Sequence, residues 1–278
     1  MYNGGNLTLN SIVRKVSEKI DVGSNDKLRH MVTINFDDGY RSHYDIGFDL
    51  MKKYNMRGTY FITAWNNREP GHDPERWMLE EHIQEISFWG NEIGEHTRTH
   101  AHLTDLTREE ILDEWLTAKE RIEAMTGIPV KTTAYPAGRN NEEINDMASM
   151  IYESSRGTHH GITQNPFDVE IGERIARFNI YGRSLYNISA TQVDSISAQN
   201  VIDIIDHFLE LPEPCLLNFY MHQLFEDGDP EKPENRQSRT QLETWLSYLS
   251  DKKKEGLVDV VPYIEAVRRL NGARSAYL

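Results

Sequence analysis

With 278 residues, 38% of them hydrophobic and 10% aromatic, the chain can build one sizeable core and is short for two comfortable domains, so disorder throughout is excluded. A formal charge of -14 argues against non-specific attraction to nucleic acid or anionic lipid and favours neutral or cationic substrates. One cysteine, Cys215, rules out an internal disulfide framework, and no stretch approaches the roughly 18 apolar residues of a membrane span.

The opening Met1-Tyr-Asn-Gly-Gly lacks the basic and apolar regions of a signal peptide. A cytoplasmic location is expected if the chain is complete, and a secreted or periplasmic one if a leader was removed. Ile12, Val13, Val16 and Ile20 lie at helical spacing, which predicts an N-terminal helical extension within 1–29 that packs on a single main domain. A strand then ends in T-I-N-F-D-D-G, Thr33 to Gly39. Two adjacent carboxylates can serve different tasks only where the strand is ending and its backbone turning, and Gly39 permits that turn.

A helix is predicted from Tyr44 to Tyr54, a strand over G-T-Y-F-I-T, a loop from Ala64 to Arg76, and a helix after Trp77 that Gly90 stops. The third strand is N-E-I-G-E-H; a capping box at Thr107-Arg-Glu-Glu opens a helix to about Met125. K-T-T-A-Y-P is strand four, followed by a helix from about Glu142 to Tyr152. Between Ser154 and Phe167, Gly157, Gly161 and Pro166 leave no long element. I-A-R-F-N-I-Y reads as a strand, Ala198 to Leu211 as a helix, P-C-L-L-N-F-Y-M-H as a strand, Arg236 to Lys254 as a helix, and V-D-V-V as a last strand before a helical I-E-A-V-R-R-L. Strands separated by helices throughout predict an α/β fold with a parallel sheet, and about seven such units suggest a barrel with its functional groups at the strands' C-terminal ends.

Three strands end in chemical groups: Asp37 and Asp38, then His96 and His100, then His222. In H-T-R-T-H one turn of helix would bring both imidazoles to one side, and with Asp38 they could hold a divalent cation with positions left open. Asp37 could then accept a proton from attacking water, and His222 could donate one to a departing amine.

The ordered motifs T-I-N-F-D-D-G, G-N-E-I-G-E-H-T-R-T-H-A-H-L-T-D-L, A-Y-P-A-G and Y-M-H resemble those of the polysaccharide deacetylases, carbohydrate esterase family 4. That resemblance implies a distorted (β/α) barrel, seven-stranded, which removes N-acetyl groups from an amino-sugar-containing glycan with zinc, or with cobalt, nickel or manganese. By motif position it makes Asp37 the general base, Asp38, His96 and His100 the metal ligands and His222 the general acid, and puts the oxyanion's backbone N–H near Ala137. The third-motif arginine that orients the base is here Ala134, so Arg177 is expected to replace it, with Arg139 as a poorer substitute. The tryptophan-bearing fourth motif has no convincing match. Tyr135 and Trp65 complete the substrate-side candidates, each with packing as the competing reading. Two other functions fit the same residues: hydrolysis of another amide, such as a formamide or cyclic amide, and a metal-bearing glycan-binding module without turnover.

Overall fold

The computed structural model describes residues 29–64, 73–158, 175–177, 185–212, 215–231 and 236–275, with 175–177 and 272–275 described as backbone only. The expected N-terminal helix and Trp65 lie outside these residues.

The strands are β1 (His30–Asp38), β2 (Thr59–Ile62), β3 (Glu92–Glu95), β4 (Thr132–Ala134), β5 (Ser154–Arg156), β6 (Ile175–Arg177), β7 (Thr191–Gln192), β8 (Cys215–Met221) and β9 (Val258–Val260). One curled sheet holds them in the order β5-β4-β3-β2-β1-β8-β6, with β7 paired to β8 and β9 to β1. Every pairing is parallel except that of β6 with β8. This is the distorted half-barrel that the alternation of elements predicts.

Strand β1 is the axis of the sheet and is buried from Met31 to Asp38, as a central parallel strand must be. Residues 31–36 pair with β8, so β9 (at 30–32) and β2 (at 35–38) divide its other edge between them. Alternate side chains of β1 enter two apolar layers. Val32, Ile34 and Phe36 join the large cluster beneath the helices, whereas Met31 joins an inner cluster with Phe61, Ala134, Leu216 and Tyr263. Between the inner apolar residues Thr33 Oγ1 and Asn35 Nδ2 both donate to Asn218 Oδ1 at 2.6 Å, which gives these buried donors an acceptor.

The helices are α1 (Asp49–Lys53), preceded by a π-helical turn at His43–Phe48, then α2 (Glu80–Phe88), α3 (Arg108–Thr126), α4 (Glu142–Ser149), α5 (Ala198–Leu209), α6 (Arg239–Lys254) and α7 (Tyr263–Ser275). The predicted capping box is present at the start of α3, where Thr107 N–H donates to Glu110 at 2.8 Å and Thr107 Oγ1 accepts from Glu110 N–H at 3.4 Å. Two strands, β5 and β7, form where the sequence pattern predicts none. They are three and two residues long, and pairing with a formed neighbour rather than local propensity decides such short strands.

Candidate active site

The site is built at the C-terminal ends of β1, β3, β5 and β8. Asp37 belongs to the face of β1 that points into the sheet's concavity. Asp38 has φ +79° and Gly39 φ +88°, so the backbone reverses at the second carboxylate and brings it to the same mouth. Such a φ is strained for an aspartate and permitted for the glycine that follows.

His96 and His100 meet as predicted, with ring centroids 4.9 Å apart, but no helical turn carries them. The segment is an irregular loop in which Thr97 (φ +64°) and His100 (φ +62°) are left-handed. Glu114 of α3 holds it by accepting from Thr99 N–H at 2.8 Å and Thr99 Oγ1 at 2.9 Å. Nε2 of His96 and Nε2 of His100 lie 3.5 and 3.3 Å from Asp38 Oδ1, and the three ligand atoms all fall within 4.8 Å of one another. Metal–ligand bonds of about 2.0–2.2 Å in a tetrahedral shell separate ligand atoms by about 3.4 Å, so the trio fits a divalent cation. Nδ1 of His96 lies 2.7 Å from the Ala134 carbonyl. A carbonyl only accepts, so the proton sits on Nδ1 and the Nε2 lone pair faces Asp38, the tautomer that a metal ligand needs. Burial, aided by the nearby His100 and Arg156, pushes the His96 imidazole well below its ordinary range and keeps it neutral.

Asp37 is ion-paired through Oδ2 with the guanidinium of Arg156, and the two side chains are 2% and 0% exposed. Burial raises the carboxyl above its ordinary range, while Arg156 and His222 pull it back toward ionisation. The arginine at Asp37 is therefore Arg156 and not Arg177. Arg177 pairs with Cys215, whose neighbour Leu216 pairs with Met31. Its backbone is thus level with the start of β1, about 23 Å along the strand from Asp37, far beyond one side chain's reach. Arg156 in turn pairs directly with Ala134, so it lies one strand along at the same height. Its guanidinium lies over the Tyr220 ring at 4.6 Å and the Phe61 ring at 5.2 Å, contacts that hold its planar fork in place.

At the end of β8, His222 Nδ1 is 2.5 Å from Asp194 Oδ2, and its backbone N–H donates to Oδ1 at 2.9 Å. Burial alone would lower this imidazole, but the Asp194 carboxylate, with Asp37 and Asp38, raises it to about 8. With Nδ1 committed to Asp194, Nε2 is the atom left for chemistry. His43, held neutral by burial at about 3, donates from Nε2 to the His222 carbonyl at 3.0 Å and pins the end of β8.

Ala137 is exposed at the turn after β4, with φ +53°. Tyr135 is turned away from the mouth: it is fully buried in the outer layer and its hydroxyl donates to the Tyr186 carbonyl at 2.8 Å, so its side chain is a packing residue. Trp77 stacks on Tyr40 at 4.7 Å. Sequence reasoning missed Arg156 and Asp194. The only signal for Arg156 was the one that marks Asp38, a charged residue directly followed by glycine at a strand's end.

The polysaccharide deacetylase family profile matches residues 24–153. YxkH of Bacillus subtilis strain 168, provisionally named a polysaccharide deacetylase, is 31% identical over 135 residues, 49% of this chain and 45% of that protein. The peptidoglycan-N-acetylmuramic acid deacetylase PdaA of the same organism is 28% identical over 120 residues, 43% of this chain and 41% of its own length. The alignments thus span less than half of each relative. The Xyl-CE4 domain of a multidomain xylanase from the hindgut metagenome of Trinervitermes trinervoides shares the fold, with a TM-score of 0.55 at 15% identity over 88% of this chain and 92% of that domain. With its motifs seated at one mouth of this half-barrel, the chain is similar to the polysaccharide deacetylases over residues 24–153, the part that the family profile matches.

Proposed function

We propose that this protein is a metal-dependent hydrolase that removes the acetyl group from an N-acetylated amino sugar in a glycan. One observation carries the reading: two charge-paired proton carriers, Asp37 with Arg156 and His222 with Asp194, flank the Asp38, His96 and His100 trio. A divalent cation held by that trio supplies Lewis acidity toward the amide oxygen and toward water. Asp37, held by Arg156, takes the proton of the attacking water. His222 gives its Nε2 proton to the amine nitrogen as the C–N bond breaks, because an amine leaves poorly unless protonated. The Ala137 N–H is the oxyanion donor of this scheme. A binding module without turnover is favoured by Ala134 and the unmatched fourth motif, but it needs neither carrier.

The name of PdaA makes peptidoglycan strands the first polymer to try beside N-acetylglucosamine oligomers. Acetate release from both is the test, run with added zinc and after chelation. Release that stops on chelation and returns with zinc supports the reading. Hydrolysis of a formamide or cyclic amide in its place would redirect it to another amide.

A further inference from the structure

Asp194 receives more than an orienting carboxylate needs. Its side chain is 1% exposed; its Oδ2 accepts from His222 Nδ1 at 2.5 Å and from Gln192 Nε2 at 2.7 Å, and the Arg236 guanidinium is ion-paired to the same oxygen at 3.0 Å. Gln192 and the His222 backbone N–H are neutral donors that already fix the carboxylate's orientation. Arg236 adds a full positive charge on the same oxygen that the imidazole uses.

We propose that Arg236 is a positioning residue that loosens the hold of Asp194 on the His222 proton and so makes the imidazolium a readier donor to the leaving amine. The idea rests on the reading of His222 as that donor. With no second cation on Asp194, deprotonating His222 would leave a buried carboxylate uncompensated, and that penalty would keep the proton on the ring. The guanidinium is charged in both states, so proton transfer leaves a carboxylate that still has its counter-ion. Its positive charge also acts directly against that of the imidazolium, which works in the same direction.

The other groups that face His222 act differently. Asp37 and Asp38, from β1, favour the imidazolium. His43, from the π-helical turn, and His96, from the loop after β3, are held neutral by burial. Tyr220, on β8 itself, presents its ring 5.7 Å from that of His222. Arg156 is committed to Asp37, whereas Arg236 is the cation ion-paired to Asp194, the carboxylate that His222 itself contacts.

The test is an NMR titration of the His222 ring in the zinc-loaded protein, with the resonance assigned by its loss in His222→Gln. In Arg236→Gln the midpoint should rise by on the order of one pH unit, and in Arg236→Lys it should return to near the native value. The alkaline limb of acetate release should follow the titration, with kcat lowered and KM unchanged. A merely structural role would lower activity without moving either midpoint. An unchanged or lowered midpoint in Arg236→Gln overturns the proposal. If that variant does not fold, the lysine variant decides, because a midpoint below the native one contradicts the idea. A titration that moves as expected in a protein that hydrolyses no acetamido sugar sinks the deacetylase reading and leaves the Arg236 linkage standing.

Discussion

Asp37 and His222, the proposed base and acid, are both ion-paired, yet they are buried to different extents. Asp37 and Arg156 are sealed in the concavity of the sheet, 2% and 0% exposed, whereas His222 is 22% exposed and only its partner Asp194 is deeply buried. In the first pair the proton acceptor and its counter-ion are inseparable from the core. In the second the proton donor stands at the edge, where it can be reprotonated from solvent, and its counter-ion is the part built into the fold. Mutations should therefore damage folding and chemistry together on the Asp37 side and can separate them on the His222 side.

The largest effect is expected at Asp37. Asp37→Asn should keep its metal and lose at least about 10²-fold in kcat, as for a lost general base, which acetate release beside elemental analysis will show. Arg156→Met comes next and is mainly a stability lesion: it leaves a buried carboxylate uncompensated at a cost of about 3–5 kcal/mol. Burial raises the Asp37 carboxyl, and without Arg156 it will rise further. The loss should be greatest at neutral pH and shrink on acidification as Asp37 is protonated, which urea denaturation at several pH values can measure.

On the acid side, His222→Gln should lower kcat by on the order of 10²-fold with little change in melting temperature. The native alkaline limb should lie near pH 8, since His222 is raised to about 8. A histidine whose folded value is raised stabilises fully below its unfolded value near 6.5, and that contribution is lost as pH rises through about 8. Activity and a small part of the stability should then fall together in that window.

The smallest expected effect is at Gly94. A Cβ there would meet the Phe61 ring at 2.5 Å, and that ring lies under the Arg156 guanidinium. Gly94→Ala should cost about 1–3 kcal/mol by overpacking and lower kcat through a displaced Arg156, while metal stoichiometry stays unchanged.

The same contrast explains what could be read from the chain. Asp37, Asp38 and His222 were legible because they end apolar runs long enough to declare themselves strands, and His96 and His100 because of their i,i+4 spacing after a strand and the motif around them. The partners of the proton carriers were not. Arg156 ends a three-residue strand made otherwise of serines, and Asp194 follows a two-residue strand, so both positions are set by pairing across the sheet. Arg156 and Arg177 each close a three-residue strand, and only the antiparallel direction of β6 puts Arg177 at the wrong end. That direction has no signature in local spacing. The i,i+4 histidines converge as expected, but through left-handed residues at Thr97 and His100 rather than a helical turn.

Asp37 is proposed to move a proton beside a metal held by Asp38, His96 and His100, and metal content measured together with turnover can decide this. Metal content and acetate release should be determined on the same preparations of native protein, Asp37→Asn and His96→Ala, with N-acetylglucosamine oligomers and peptidoglycan as substrates. One equivalent of metal is expected in the native protein and Asp37→Asn, less than one in His96→Ala, and acetate release only from the native protein at an appreciable rate. Native-rate release by metal-loaded Asp37→Asn, or a full equivalent of metal retained by His96→Ala, would contradict the proposal.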